Sequence, residues 1–443
     1  MMKRIFFFLL AVVGIVACAD DDNFTTNHQA LLSFEKDTLQ MDTVFSNVGS
    51  STYTLWVYNR TDNDLRLNSV RLRNGNQTGF RVNVDGGYLD NDLGSVITNL
   101  EVRSGDSLRV FVELTSPESG QLEPQERVDD LVFYLESGVE QQVRLLAWTW
   151  DALKLTDVVI ANDTTIDTPV PLVLYGAGLR VDSGAILTLR GTTLYFHDGA
   201  GLDVYGQLHA EGCLFRGDRL DRMFEYLPYD RVSGLWRGLK FAPSSSGNRL
   251  INTEIRNPLT GVVLEDSAIV DSTKQRLIMD HCTIHNAKGY GIVSYHSSLT
   301  LSYCQLTNTL GDILLLHGGY CLIDHCTLAQ FYPFSADRGA ALHFIGDGAM
   351  SLTCNYSLLT GYADDVVMAE RTDTTAMFSY HFSNCLLRTP AIKDDTLNFQ
   401  HVLWETASDS IQGKQHFVRI DEENLYYDFH LDSLSIAHGL GCY

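Results

Sequence analysis

His281, Cys282, His285, His325 and Cys326 crowd one stretch, "LIMDHCTIHNAKGYGIVSYHSSLTLSYCQLTNTLGDILLLHGGYCLIDHCTL". Imidazole and thiolate are soft ligands, and four of them converging at about 2.0–2.3 Å would hold Zn2+. Convergence depends on the element that carries them. Slid by 22 positions, the stretch (277–328) overlays on itself, with Cys282 on Cys304, Cys304 on Cys326, Ile292 on Leu314 and Asn286 on Asn308. A fixed period near 20 marks a solenoid whose repeats stack one on the next. In that register the cysteines share an inward column, while His281 and His325 occupy a bend with Tyr303 between them. Side chains facing opposite ways cannot share one ion, so no metal centre is expected. Stacked cysteines also keep their Cβ atoms about 4.8 Å apart, beyond ordinary disulfide separation. They are read as buried free thiols acting as small apolar groups.

One coil position runs through Thr192, Cys213, Thr253, Cys282, Cys304, Cys326, Ser357, Cys385 and Val402, which gives about nine coils. Two residues later come Leu194, Phe215, Ile255, Ile284, Leu306, Leu328, Leu359, Leu387 and Trp404. Four residues after the column run Asn257, Asn286, Asn308 and Gln330, amides suited to bonding turn backbone. With no convincing amphipathic helix, stacked short strands imply a parallel β-helix over 155–443. The pattern resembles the right-handed parallel β-helix of the pectin-lyase-like superfamily. That resemblance implies a fold and leaves activity open, because many functions share the scaffold. The closing run 426–441, with Ser435, Ile436 and Ala437, resembles the final coil of such domains and is expected to cap the last coil.

The rest of the chain supplies a spacer and an address. Residues 30–150 alternate apolar and polar over short runs such as "TYTLWVY" and "SLRVFVEL". That period of two implies a β-sandwich. The opening "FEKDTLQMDTVFSNVGSSTYTLWVYNRTDNDLRLNSVRL" resembles the immunoglobulin-like domains at the front of Bacteroidetes surface lipoproteins. Before it, "MMKR" and the apolar "IFFFLLAVVGIVA" read as a signal peptide over 1–17. "IVAC" resembles a lipobox, which implies lipidation of Cys18, and "ADDD" opens a polar tether over 18–29. Acidic residues behind the lipidated cysteine resemble a surface-export signal, so the expected location is the outer membrane, facing the cell exterior. The 443 residues carry a net charge of -23, from 55 Asp+Glu against 32 Lys+Arg. Such a balance argues against a nucleic-acid partner and against electrostatic docking on anionic lipid.

Function is expected where the period breaks, because loops on a rigid scaffold carry binding and catalysis. The longest excursion, 216–248, mixes arginines, carboxylates and aromatics. Arg222, Glu225, Tyr226, Tyr229, Asp230, Arg231 and Trp236 are its candidate binding residues, a composition suited to sugar faces and hydroxyls. For Trp236 the favoured reading is structural, packing on the end of a coil. The enzyme alternative is a polysaccharide lyase or glycoside hydrolase. A lyase would need Ca2+ ligands and a base, yet the pectate-lyase pattern survives only as "RNPLTG", with Gly261 in place of its second Arg. Of the polygalacturonase carboxylate blocks only Asp364–Asp365 is present. Triplets such as Asp42-Thr43-Val44 and Asp106-Ser107-Leu108 resemble an O-glycosylation sequon of exported Bacteroidetes proteins. The preferred expectation is therefore a non-catalytic surface lipoprotein that binds glycan or another surface protein, without cofactor. A structural part in an envelope assembly is the third alternative.

Overall fold

A computed structural model describes residues 24–266, 274–405 and 413–443. Cys18 and the signal peptide lie outside the described residues. The chain divides into two compact units, 1–151 and 152–443.

The first unit is a β-sandwich of two five-stranded sheets. Alternation along each strand sends one side chain in two to the shared core, so Leu55, Val57, Leu108, Val110 and Val112 are all buried. Thr38–Phe45 runs parallel to Glu140–Trp150, and the other pairings are antiparallel. The expected tether ends early. Phe24 lies beneath the guanidinium groups of Arg66 and Arg103, 3.9 and 4.8 Å from its ring centre, and Thr25 donates to the Asp64 carbonyl at 3.0 Å. Cation–π contact thus docks residues that composition alone reads as polar linker.

The second unit is a parallel β-helix in which 26 strands form one continuous sheet. Its first face has eleven rungs, from Leu153–Thr156 to Leu403–Glu405. Two rungs therefore precede the first tracked column residue, Thr192. The column lies inside, and its composition has a bonding reason. The carbonyl two residues before the column accepts a backbone N–H from the neighbouring coil, as Ile251 does from Gly212 and Asp280 from Asn252, and the column side chain donates to the same oxygen as a second bond. Thr192 reaches the Arg190 carbonyl at 2.9 Å, Thr253 that of Ile251 at 2.9 Å, and Ser357 that of Asn355 at 2.7 Å. The thiols of Cys213, Cys282, Cys304, Cys326 and Cys385 do the same at 3.2–3.4 Å. A buried hydroxyl needs a partner, and the free lone pair of that oxygen supplies one, so small donors can occupy an inward column. The eight cysteines among the described residues are free.

The residue before the column is left-handed in nine successive coils: Gly191, Gly212, Asn252, His281, Tyr303, His325, Tyr356, Asn384 and His401, with φ between 47° and 63°. Left-handed backbone costs a non-glycine residue about 1–2 kcal/mol. Four of these residues recover attraction by stacking: His281, Tyr303, His325 and Tyr356 follow one another at 4.8, 4.9 and 4.8 Å with nearly parallel rings. Asn257, Asn286 and Asn308 form a second left-handed column at the next turn.

The closing segment corrects one expectation. It does not sit over the last coil. Phe417–Asp421 and Tyr426–Leu431 pair as an antiparallel hairpin that lies along the flank. Phe417 and Phe429 pack with Ala329, Phe331, Leu358 and Leu386, outward residues of three rungs. The tail continues backwards: Gly441 donates to the Tyr356 carbonyl, Cys442 to Thr327 Oγ1 at 3.2 Å, and Tyr443 to Gln305 Oε1 at 2.7 Å. The rings of Phe417, Tyr427 and Phe429 bury better on a flank than over a narrow coil end.

Candidate ligand-binding cavity

The hairpin, the excursion and the flank of the solenoid enclose a cavity of about 300 Å³. Its floor comes from outward positions of consecutive rungs, because alternate strand residues face out. Glu254, Thr283 and Gln305 stand in register, as do Arg256, His285 and Thr307. The excursion adds Asp230 and Arg231, the hairpin adds Tyr426, Tyr427 and Phe429, and the loop after Gln330 adds Pro333 and Phe334.

Specific bonds fix this ring of elements. Asn257, held left-handed at φ 60°, donates its amide to the carbonyls of Asp230 (2.9 Å) and Val232 (2.7 Å) and so pins the excursion to the coil. Arg216 and Arg256 each approach the Asp230 carboxylate at 3.2 Å. Arg256 also pairs with Glu254, so one guanidinium clamps both carboxylates. Arg231 donates to the Asn424 carbonyl in the hairpin turn, closing the ring between residues far apart in sequence. His285 shares a 2.8 Å hydrogen bond with Thr307 Oγ1 through Nδ1 and meets the edges of Tyr427 and Phe429. Burial, aided by the charge of Arg256 and opposed by Asp230, brings its pKa down to about 4. A neutral imidazole therefore sits beside two fixed carboxylates at neutral pH.

The hairpin has its own anchor. Arg388, Glu405 and His416 are buried together, with Arg388 Nη1 3.2 Å and His416 Nε2 3.5 Å from Glu405 Oε1. Thr360 donates to the other Glu405 oxygen at 2.8 Å, and His416 Nδ1 lies 3.1 Å from Ser435 Oγ. Burial works against the Glu405 charge, but His416, Thr360 and Arg388 outweigh it and hold the carboxyl below its usual range.

The expected binding residues divide. Asp230 and Arg231 line the cavity. Tyr226 is 77% exposed, at the tip of a short hairpin formed by Arg222–Phe224 and Leu227–Pro228. Arg222 donates to the Glu225 carbonyl there at 3.2 Å, and Glu225 is exposed. Tyr229 is covered by the Arg219 guanidinium at 4.3 Å. Trp236 follows its packing reading and not the binding one: it is 1% exposed, stacks on Phe196 at 4.3 Å and donates to the Arg256 carbonyl at 2.7 Å. Of the other candidates, Asp364 pairs with buried Arg388 at 3.0 Å and Asp365 accepts from Thr389 at 2.6 Å. Among the described residues, no group of three His, Cys, Asp or Glu is placed to hold a metal ion.

Sequence reasoning passed over Glu254, Phe334, Tyr426, Tyr427 and Phe429, weighed Arg256 only within the lyase-like "RNPLTG", and weighed His285 only as a metal ligand. A signal existed for some of them. Glu254 and Arg256, then His285, stand one and three residues after the Thr253 and Cys282 column positions, and those offsets face outward. Nothing periodic announced the hairpin.

Residues 151–328 match the family model described as "Right handed beta helix region". No curated protein matches the chain. Among solved structures, the catalytic unit of a thermostable GH87 α-1,3-glucanase from Streptomyces thermodiastaticus strain HF3-3 is 12% identical. The match has a TM-score of 0.30 and covers 80% of this chain and 89% of that one. A PapD-like domain of human CEP192 is also 12% identical, with a TM-score of 0.19, over 28% of this chain and 87% of that one. A family 123 glycoside hydrolase from Clostridium perfringens is 6% identical, with a TM-score of 0.20, and 30% of each chain is covered. From its ladder and its family match, the stacked domain is a right-handed parallel β-helix.

Proposed function

We propose that this is a lipid-anchored surface protein that holds glycan in the flank cavity without cleaving it. The observation that carries the reading is the cavity itself. Arg-clamped carboxylates accept hydroxyl hydrogen bonds, a neutral His285 stands beside them, and the half-exposed rings of Tyr426 and Phe334 offer apolar faces. Fixed polar groups among aromatic walls suit a hydroxyl-rich ligand. The lipobox at Cys18 supports the anchor, and the sandwich serves as the spacer.

The test is an array of immobilised and soluble glycans followed by titration. Asp230→Asn and Tyr426→Ala should each weaken binding by roughly tenfold or more, the scale of one lost charge-assisted hydrogen bond or stacking face. The second reading is glycoside cleavage, favoured by one fact: Asp230 and Glu254 share a cavity and a guanidinium. New reducing ends or double bonds, measured with and without Ca2+ and lost in Glu254→Gln, would replace the binding reading with that one.

A further inference from the structure

The excursion has a second aromatic feature outside the cavity. Phe224 and Tyr226 stack at 5.7 Å with planes 12° apart, yet they are 53% and 77% exposed. Two large rings held in water without burial stabilise nothing in this fold. Their arm is nevertheless braced. Tyr229 donates its backbone N–H to the Asp221 carbonyl at 2.9 Å. Asp221 is itself buried and paired with Arg219 at 2.7 Å, and Arg219 covers the Tyr229 ring. Arg222 ties the tip through the Glu225 carbonyl. The arm then runs without interruption into Asp230, which Asn257 and two arginines fix in the cavity wall. Tyr226 and Asp230 are four positions apart, so their Cα atoms are at most about 14 Å apart.

We infer that the site is extended: a glycan chain seated at Asp230 and Arg256 continues out of the cavity onto the Phe224–Tyr226 platform, which binds a second stretch of the same chain. This rests on the glycan reading of the cavity and adds that the ligand is an oligosaccharide, with Tyr226 setting the length preference. Aromatic faces bind sugar rings through their apolar face without any charge requirement, so the platform adds affinity only for chains long enough to leave the cavity.

The experiment is calorimetric titration of the full chain with gluco-, manno- and galacturono-oligosaccharides, each from mono- to hexasaccharide. Wild type, Tyr226→Ala, Tyr226→Trp and Asp230→Asn are compared. Wild-type affinity should rise at least tenfold from the shortest binder to the longest. Tyr226→Ala should erase that rise and leave the shortest binder unchanged, and Tyr226→Trp should restore it. Because Tyr226 is exposed, its loss should leave the thermal midpoint in place. A length dependence that survives Tyr226→Ala overturns the extended site and assigns the exposed pair to a protein partner. Affinity independent of length also overturns it, while leaving the cavity reading intact. Binding that survives Asp230→Asn, or no binding in any series, defeats the cavity reading and this inference together.

Discussion

Residues 277–328 and the ring around the cavity contain similar residue types and use them in opposite ways. In the inward column and bends of that stretch, polar groups are taken up by the architecture, while its outward Thr283, His285 and Gln305 belong to the cavity floor. The Cys282, Cys304 and Cys326 thiols bond bend carbonyls. The Cys304 thiol beside it, together with burial, pushes the Cys282 thiol well up, and burial pushes Cys321 up to about 12. His281 and His325 stack with tyrosines and bond the aspartates beside them, Asp280 and Asp324. Around the cavity, the polar groups are fixed by one another and still face open space. A repeat satisfies itself, because each coil meets an identical neighbour. A ring built from an excursion, a flank and a hairpin meets no copy of itself, and so leaves chemistry over for a ligand.

Three changes would sharpen that contrast. The largest effect is expected from Glu405→Ala, which removes the buried carboxylate from Arg388, leaving it only the exposed Asp364, and from His416 Nε2. Breaking one side of a buried pair costs about 3–5 kcal/mol. Denaturant unfolding should show that loss, and glycan binding should fall with it, because the hairpin loses its anchor. Glu405 has a lowered pKa in the fold, so its contribution is full above the ordinary glutamate range and is lost as pH falls through the lowered value. The wild-type midpoint should therefore drop in acid, and Glu405→Ala should be flatter there.

An intermediate effect is expected at His285. Its folded pKa is about 4 against 6.5 in the unfolded chain. The unfolded state thus takes up its proton first as pH falls, and stability is lost from about 6.5 down to 4. Between pH 7.5 and 4.5 the wild type should lose more stability than His285→Gln. Equal slopes would remove the burial of the imidazole as a factor. The smallest effect is expected for Cys304→Val, a near-isosteric change inside the regular stack. It should cost less than about 1.5 kcal/mol, through one weak thiol donor, and leave binding unaltered. Loss of glycan binding in a folded Cys304→Val protein would erase the distinction between stack and cavity.

The sequence showed the stack because like side chains recur where like backbone recurs. Thr192 to Val402 could be followed residue by residue, and the two earlier rungs were missed because no column residue marks them. The small donors were seen, but not the bend carbonyls that accept from them, since a bond to residue i-2 has no signature beyond residue size. At the cavity only Asp230 and Arg231 were picked out, from loop composition. Tyr426 and Phe429 were assigned to a coil end because proximity of the hairpin to Phe331 depends on a fold-back, and fold-backs have no period. Trp236 drew attention as an aromatic in a loop, while its place beneath Phe196 depends on a coil that begins 40 residues earlier in the chain.

The bond from Arg231 to the Asn424 carbonyl spans 193 residues, and this bears on the order in which the molecule comes into being. A chain made from its N-terminus can stack its coils as they emerge, each needing only its predecessor. The cavity has no such intermediate. Its floor and one wall wait, solvent-filled, until residues 413–443 arrive and lie back across rungs folded long before. Closure of the cavity is thus the last step in the making of the chain, and an arrested or clipped chain would have well-formed coils and an open flank.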